Sequence, residues 1–408
     1  MLLKDEDFGV FMKIRPFWVR VHRYTGLGMT LFLVVVGLTG SLLAFYKELD
    51  GAINPHLYVE AHGRRPLDFD TLIESAERLI APQASVQSLW MNSAAVQFSV
   101  SPRQNEQTDR SFELNYDQLI FDPYTGAELG RRRWGVISEG MTNLMPFIYK
   151  LHFNLALDDV GMWILGITAL IWTIDCFVGF YLTLPAKVFA GQRNQSAVSP
   201  FWQRWRRAWL IKWRGSPFRI NYDLHRAGGL WVWLALLVFA WSSVYMNLGD
   251  TVYQKVMQSV SDYHQPWADI EDLPEPLIHP AIDLREAYRL GHQAMTRAAA
   301  EHGFQIEAPV AIWINRAKGF YVYCVRSSLD IQDHEGQTRV VIDANSGQQK
   351  MLLLPAGQYN GNTVTSWLTA LHMANVFGLP YRLFVCVLGL VIVMLSATGV
   401  VIWLKKRR

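Results

Sequence analysis

The chain is 408 residues long, is 51% hydrophobic and carries a formal net charge of +3. Its three cysteines are scattered along the sequence, which excludes a disulfide framework and a cysteine-based zinc site. The net charge averages strongly basic segments with two mildly acidic ones, and it does not imply a nucleic-acid partner. Four apolar runs of about 22 residues or more exclude a large soluble enzyme and predict a membrane protein with four spans.

The predicted elements alternate between membrane spans and polar segments. In chain order they are a basic lead-in 1–23, a first span 24–46, a long domain 47–150, a juxtamembrane segment and second span in 151–184, a basic loop 185–226, a third span 227–249, a second long domain 250–370, a juxtamembrane segment and fourth span in 371–404, and a tail 405–408. A helix of 23 residues is about 35 Å long, which is enough to cross a bilayer.

The distribution of charge predicts how the spans are oriented. The lead-in, the basic loop and the tail carry 18 lysines and arginines against 4 acids, whereas the two long domains carry 10 and 9 basic residues against 14 acids each. The positive-inside rule then places both termini and the basic loop in the cytoplasm. The long domains are expected in the periplasm of a bacterial inner membrane.

Each long domain is predicted to be α+β. The first has apolar residues at helical spacing over 67–79, followed by alternating strands at 96–100 and 112–116. The second has a predicted helix over 284–302 and strands at 310–315 and 319–326. The predicted fold class is therefore an α+β membrane protein.

The two halves of the sequence repeat the same features. Each half has a His-Arg-x-x-Gly-Leu motif before its first span, an Asp-x-x-Thr/Ser-Gly turn and a second histidine before its second span. Asp122 precedes His152 by 30 residues, and Asp343 precedes His372 by 29. We therefore expect a duplicated two-helix unit, each copy of which carries one α+β domain.

Four histidines recur at the predicted membrane boundaries. His22 and His225 lie at the cytoplasmic ends of spans one and three, and His152 and His372 lie at the periplasmic ends of spans two and four. Because a span is about 35 Å long, histidines at opposite ends cannot share one metal ion. The predicted ligand pairs are therefore His22 with His225 and His152 with His372.

Two imidazoles on one iron form a six-coordinate haem that suits electron transfer. The sequence has no Cys-x-x-Cys-His motif, so two non-covalent b-type haems per chain are predicted, with the four histidines as iron ligands. Zinc is less suitable because each pair lacks further ligands nearby. The alternative interpretation is that these histidines cap helices or form interfacial hydrogen bonds.

Several neighbouring residues have more than one possible interpretation. Arg23 and Arg226 follow two of the histidines and can bind haem propionates or lipid phosphates. Asp175 lies within span two and can hydrogen-bond a cytoplasmic-side histidine, carry a proton, or bond a serine or threonine of a neighbouring helix. The span glycines can admit a flat macrocycle or allow tight helix packing.

With these motifs, the sequence resembles the PepSY-associated transmembrane family of bacterial inner-membrane proteins. The likeness is carried by residues 22–27, 37–41, 151–154, 223–226 and 395–399, together with the two aspartate turns. Within the family it is most similar to ferrisiderophore reductases of the FoxB type. This resemblance implies b-type haems and the reduction of a ferric siderophore in the periplasm. No Gly-x-Gly-x-x-Gly motif occurs, so a separate cytoplasmic or quinol electron donor is expected.

The functional hypothesis is a two-haem electron conduit across the membrane, without an assigned catalytic side chain. Its acceptor is expected to dock between the long domains, with candidate contacts Trp134, Trp267, Arg131, Arg132 and Arg133. Two alternatives remain: a haem-free regulatory or scaffold membrane protein, and a quinone-linked b-type cytochrome with another acceptor.

Overall fold

The computed structural model describes residues 6–105, 107–108, 110–186 and 199–407. The predicted lead-in 1–23, basic loop 185–226 and tail 405–408 therefore lie partly outside the described residues. The chain divides into a helical unit, Met1–Ala44, Lys150–Tyr253 and Leu379–Arg408, and a sheet unit, Phe45–Tyr149 and Gln254–Gly378.

The helices and strands follow one another in an order that is similar in the two halves. The helices are α1 (Glu6–Leu43), α2 (Tyr46–Ile53), α3 (Phe69–Ile80), α4 (Leu144–Asn154), α5 (Asp158–Thr183), α6 (Phe201–Arg206), α7 (Pro217–Trp231), α8 (Trp233–Leu248), α9 (Gln254–Val260), α10 (Leu284–His302), α11 (Asn360–His372) and α12 (Gly378–Arg407). The strands are β1 (Ala84–Met91), β2 (Val96–Pro102), β3 (Gln104–Asn105), β4 (Arg110–Ser111), β5 (Gln118–Phe121), β6 (Glu128–Arg132), β7 (Ile306–Asn315), β8 (Phe320–Ser327), β9 (Thr338–Asp343) and β10 (Gln349–Leu353).

Three helices among the described residues are long and apolar enough to cross a membrane. They are Ile14–Leu43 within α1, Asp158–Thr183 and Gly378–Lys406 within α12. The pair Pro217–Trp231 and Trp233–Val260 passes the same criteria together, but it is bent by 68°. The described chain therefore has three candidate spans, or four if the bent pair is one span.

The structure differs from the sequence-based expectation at two of these helices. Helix α1 is continuous from Glu6, so His22 lies inside it and not before it, because a charged side chain does not by itself end a helix. The expected third span, 227–249, is interrupted at Val232, which has φ −108° and ψ 11°. Gly228 and Gly229 precede this interruption, and glycine has a low helix propensity.

The helical unit is held together by close backbone approach as well as by apolar contact. Helices α1 and α12 cross at Gly37 and Gly389, where a Cβ atom on Gly37 would lie 2.8 Å from the Gly389 carbonyl oxygen. Helices α5 and α8 are joined by a hydrogen bond of 2.8 Å from the Trp233 indole N–H to the Cys176 carbonyl. At the α1–α12 crossing, the small residues serve tight helix packing.

The sheet unit is built on one eight-stranded antiparallel sheet. Its strand order is β10-β9-β8-β7-β1-β2-β5-β6, so the two long segments contribute four strands each and meet where β1 pairs with β7. Leu89 lies opposite Ile312 at this junction, and both side chains are fully buried. Helices α3 and α10 pack against the core of this sheet, with Leu72 and Met295 buried. One helix and four strands thus occur in the same order in each half.

The two predicted aspartate turns join strands as expected. Asp122 follows β5 and Asp343 ends β9, and the Oδ1 atom of each accepts a hydrogen bond from a backbone N–H a few residues further on, at 2.7 and 2.8 Å. Gly126 and Gly347 have φ of +70° and +72°, which glycine adopts without strain. The chain therefore reverses between β5 and β6 and between β9 and β10.

A buried ion pair fixes α2 to the edge of the sheet. The Arg132 guanidinium on β6 lies 3.1 Å from the Asp50 carboxylate on α2, and the two side chains are 2% and 0% exposed. Gln118 accepts a further hydrogen bond from Arg132, and Tyr58 donates its hydroxyl to Asp50. Both charges are compensated, which a buried pair requires.

Replacing Asp50 with alanine is expected to lower the free energy of unfolding by about 3–5 kcal/mol, because it leaves the Arg132 charge buried without a counter-ion. The matched control is Glu139→Ala, which removes an exposed pair with Arg133 and is expected to cost about 0–1 kcal/mol. Denaturant unfolding of the detergent-solubilised full chain, followed by tryptophan fluorescence, measures both. Equal losses in the two variants would contradict a stabilising role for the buried pair.

Candidate functional site

The helical unit brings the imidazole rings of His22 on α1 and His225 on α7 close together. The centroids of the two imidazole rings are 6.1 Å apart, and their planes are inclined by 59°. The pair combines the two copies of the His-Arg-x-x-Gly-Leu motif. These two candidate ligands therefore share one site.

The His22 ring is held by a carboxylate. Its Nδ1 atom lies 2.9 Å from the Asp175 carboxylate on α5, and the Asp175 side chain is only 8% exposed. The hydroxyl of Thr25 lies 3.1 Å from the same carboxylate. Because a carboxylate only accepts hydrogen bonds, the His22 Nδ1 must carry the hydrogen. Asp175 therefore hydrogen-bonds a histidine, which is one of the three roles that the sequence allowed for it.

The His225 ring is held by neutral acceptors on α12. Its Nδ1 lies 3.0 Å from the Leu395 carbonyl oxygen and 3.1 Å from the Thr398 hydroxyl. A carbonyl only accepts, and the Thr398 hydroxyl is itself within donating distance of the Met394 carbonyl at 2.8 Å. The hydrogen therefore lies on Nδ1 in this ring as well.

These contacts determine what the two rings can do chemically. A neutral imidazole with its hydrogen on Nδ1 has its lone pair on Nε2, which is the usual arrangement of a metal-binding histidine. Within the described residues, no hydrogen bond to Nε2 of His22 or His225 occurs. When both rings are neutral, each therefore has an Nε2 lone pair available for a metal ion.

A glycine lies at the edge of each ring. A Cβ atom on Gly179 would lie 3.5 Å from Cε1 of His22, and one on Gly399 would lie 3.2 Å from Cε1 of His225. Each glycine stands 27 residues after a juxtamembrane histidine in the sequence. Any larger residue at 399 would crowd the His225 ring.

His152, on α4, has a similar environment within the helical unit. Its Nδ1 lies 2.9 Å from the Thr39 hydroxyl, and a Cβ atom on Gly40 would lie 3.0 Å from its Cε1. Burial lowers the pKa of His152 to about 4, so the ring is neutral at pH 7. His372, the expected partner, is the half-buried last residue of α11 and belongs to the sheet unit.

The threonines that hold these rings were not predicted from the sequence. A Thr-Gly pair occurs at Thr39–Gly40 and again at Thr398–Gly399, and in each case the threonine oxygen faces Nδ1 of a histidine and the glycine lies at the ring edge. The recurrence of Thr-Gly inside two apolar runs is the pattern that could have identified them. In α5 the residue before Gly179 is a valine, and Asp175 supplies the acceptor instead.

The two arginines that follow the paired histidines differ in their contacts. The Arg226 guanidinium lies 2.8 Å from the fully buried Asp223 carboxylate, which Arg219 also contacts at 2.8 Å. The Nε atom of Arg226 is buried and has no hydrogen-bond partner among the described residues. Arg23 is half-buried. Arg226 therefore already has an ion-pair partner inside the protein, which it shares with Arg219.

The five candidate acceptor contacts lie in the sheet unit, in different surroundings. Arg132 is 4% exposed and belongs to the buried Asp50 pair, so its guanidinium does not face solvent. Arg131 and Arg133 are exposed, and each forms an ion pair with a glutamate. Trp134 contacts Tyr149 edge to face, whereas Trp267 stacks on Phe320 in another cluster.

The donor set at this site consists of two imidazoles. In the part of the chain that the structure describes, no group of three or more histidine, cysteine, aspartate or glutamate side chains is placed to hold a metal. A structural zinc site needs four ligands. Two imidazoles are sufficient only when the other ligands of the metal come with it, as they do in a porphyrin.

Fold and composition define a multi-pass membrane protein whose polar segments form one antiparallel sheet unit. The family model of the PepSY-associated TM region matches residues 19–406, and the chain belongs to this family. No curated protein matches the chain.

The hydrogen bonds predict the tautomer of the two paired histidines. In ¹⁵N-histidine-labelled protein reconstituted in bilayers without added cofactor, His22 and His225 are expected to give the solid-state NMR signature of a ring protonated at Nδ1. Assignment comes from the loss of one resonance pair in His22→Ala and another in His225→Ala. Protonation at Nε2 in either ring would contradict the assignment of Nδ1 as the donor.

Proposed function

We propose that this protein is a two-haem oxidoreductase of the bacterial inner membrane, which passes electrons across the membrane to a ferric siderophore in the periplasm. The observation that carries the proposal is the facing pair of His22 and His225, each of which is held through Nδ1. This arrangement leaves Nε2 of both rings as potential iron ligands.

The dimensions of the pair fit a bis-imidazole iron site. A bond between imidazole nitrogen and a metal is about 2 Å long, so two rings in line on one metal have centroids about 6 Å apart. The observed separation is 6.1 Å. The inclination of 59° is compatible because ligand planes can rotate about a shared axis. A haem held by both rings supplies reversible one-electron chemistry without an open coordination position.

The second haem is proposed to bind His152 and His372. Support comes from the resemblance between the His152 environment and that of His225: a threonine oxygen at Nδ1 and a glycine at the ring edge. His372 occupies the matching place in the second half of the sequence. The proposed duplication of the chain is further supported by the repeated order of one helix and four strands.

The chain's own residues orient the histidine ligands and shape the space around their rings. Asp175 and Thr398 hold the rings of His22 and His225, and Gly179 and Gly399 keep the space at the ring edges open. Arg23 is proposed to face a propionate. Arg226 is also proposed to face a propionate, through its buried Nε atom, because its Nη2 atom already contacts Asp223.

The proposed direction of transfer follows from the charge distribution of the sequence. The lysine and arginine excess in 1–23, 185–226 and 405–408 supports cytoplasmic placement, with a cytoplasmic or quinol donor on that side. The sheet unit would then lie in the periplasm with the acceptor. One electron converts each ferric ion to the ferrous state, and the siderophore binds ferrous iron more weakly and releases it.

The reduced-minus-oxidised absorbance spectrum and extracted haem of the purified protein test the proposal. Two low-spin b-type haems per chain are expected in the wild type. One haem per chain is expected when any one of the four histidines is replaced, as in His22→Ala, His225→Ala, His152→Ala and His372→Ala. The control is His334→Ala, which changes an exposed histidine of the sheet unit and should retain both. A folded protein without haem, made with haem available, would refute the proposal and favour a scaffold role.

The glycine contacts predict a graded effect on the same haem. A methyl group at position 399 would lie 3.2 Å from the His225 ring, so Gly399→Ala is expected to weaken haem binding at this site about threefold, which is about 0.6 kcal/mol of binding free energy. The control is Gly28→Ala, where a Cβ atom meets nothing within 4 Å. Titration of haem into apo-protein measures both; equal affinities would show that the ring edge is not constrained.

A further inference from the structure

The two facing histidines have chemically different hydrogen-bond partners. His22 donates its Nδ1–H to the Asp175 carboxylate, at 2.9 Å, whereas His225 donates to the Leu395 carbonyl and the Thr398 hydroxyl. One partner carries a full negative charge and the others are neutral. The two sides of the site are therefore unequal, although the histidines come from two copies of the same motif.

The two sides of the site differ because one corresponding position carries different residues in the two halves of the sequence. Asp175 lies 23 residues after His152, and Leu395 lies 23 residues after His372. The same place on the two corresponding helices thus carries a carboxylate in the first half and an apolar side chain in the second. In α12 the backbone oxygen of Leu395 and the Thr398 hydroxyl take over the role of acceptor.

The Asp175 carboxylate is built into the site and does not lie on an open surface. Its side chain is 8% exposed, and it is within hydrogen-bond distance of both the His22 ring and the Thr25 hydroxyl, at 3.0 and 3.1 Å from Oδ1. A charged group in a membrane-spanning segment is costly and needs such partners. Structural stability alone does not explain a charge here, since neutral acceptors hold the equivalent ring.

A carboxylate that accepts the Nδ1–H makes an imidazole a stronger donor to a metal at Nε2. Its negative charge also favours the more positive oxidation state of a nearby metal ion by simple electrostatics. Hydrogen bonds to axial ligands are among the means by which proteins adjust the potential of haem iron. The stronger donor and the negative charge both favour the oxidised iron, and both act on the side of His22.

We propose that Asp175 is a positioning residue that lowers the reduction potential of the haem held by His22 and His225. This inference rests on the proposed function, since it requires a haem at this pair. Asp175 acts through His22 and not on any substrate. The consequence is a more strongly reducing iron at this site than two neutrally bonded histidines would produce.

The experiment is a redox titration of the purified full-length haem protein, followed by absorbance, with Asp175→Asn as the test variant. The asparagine oxygen still accepts the Nδ1–H, but the charge is gone. At a fixed potential, the ratio of ferrous to ferric iron in one of the two haems should rise about tenfold, which corresponds to 59 mV for one electron, while the other haem is unchanged.

Thr398→Val is the matched comparison. It removes a neutral acceptor from His225 and leaves the Leu395 carbonyl in place, so the ratio is expected to change by less than about twofold. An unchanged ratio in Asp175→Asn, or equal shifts in the two variants, would overturn the inference while the haem count still supports the proposed function. Absence of haem from the wild-type protein would instead refute the proposed function itself.

If Asp175→Asn loses this haem while the wild-type protein keeps it, the potential cannot be compared in that variant. Asp175→Glu, which keeps the negative charge, is then the test variant. If the glutamate variant binds haem with a ratio within about twofold of the wild type, the charge is the determining property and the inference stands. If the glutamate variant also loses the haem, Asp175 is needed only for the shape of the site, and the proposed effect on the potential is wrong.

Discussion

The hydrogen bonds at Nδ1 of His22 and His225 are the constraint on which the site depends. An imidazole on a helix can rotate about its side-chain bonds, and only a fixed acceptor holds both its orientation and its tautomer. Here the acceptors come from α5 and α12, so the alignment of two rings on α1 and α7 requires four helices to pack correctly. The close crossing of α1 and α12 at Gly37 and Gly389 contributes to that packing.

The sheet unit combines two polar segments that are far apart in the sequence into one folded body. Each segment supplies a helix and four strands, and the pairing of β1 with β7 joins them into a single sheet with a shared core. Burial of Leu89 and Ile312 at the junction makes separate folding of the two halves unfavourable. The two long segments are therefore one structural unit, whereas the sequence suggests one domain for each.

The two halves of the sequence repeat the same motifs, so the positions at which they differ can be compared directly. A carboxylate stands at Asp175 where the second half has Leu395, and a buried Asp50–Arg132 pair anchors the first edge of the sheet. Such differences persist only if they are compatible with packing, since an unpartnered charge is costly in both a membrane and a core. Both carboxylates have partners, and only the one beside His22 is part of the histidine site.

Several features could be predicted from the sequence because their causes are local. Apolar runs, the aspartate turns and the strand patterns depend on neighbouring residues, and the structure places helices, turns and strands at most of these positions. The strand expected at 112–116 is wrong, since the chain there forms no strand. Helix ends were less predictable: α1 begins well before residue 24 and the third apolar run breaks at Val232, since neither charge nor hydropathy determines where a helix starts or bends. Arg132, which looks like part of a surface basic run, is buried because its partner Asp50 is distant in sequence.

The sequence by itself determined the residue types and their spacing: four histidines in repeated motifs, the membrane-spanning character and the α+β segments. Only the tertiary structure decided which atoms meet: that His22 faces His225, that Asp175 binds His22 and not another histidine, and that threonines 39 and 398 hold rings on other helices. The reason is physical. Spacing along a helix defines a face, but the partner of that face depends on how separate helices pack, which no local pattern contains.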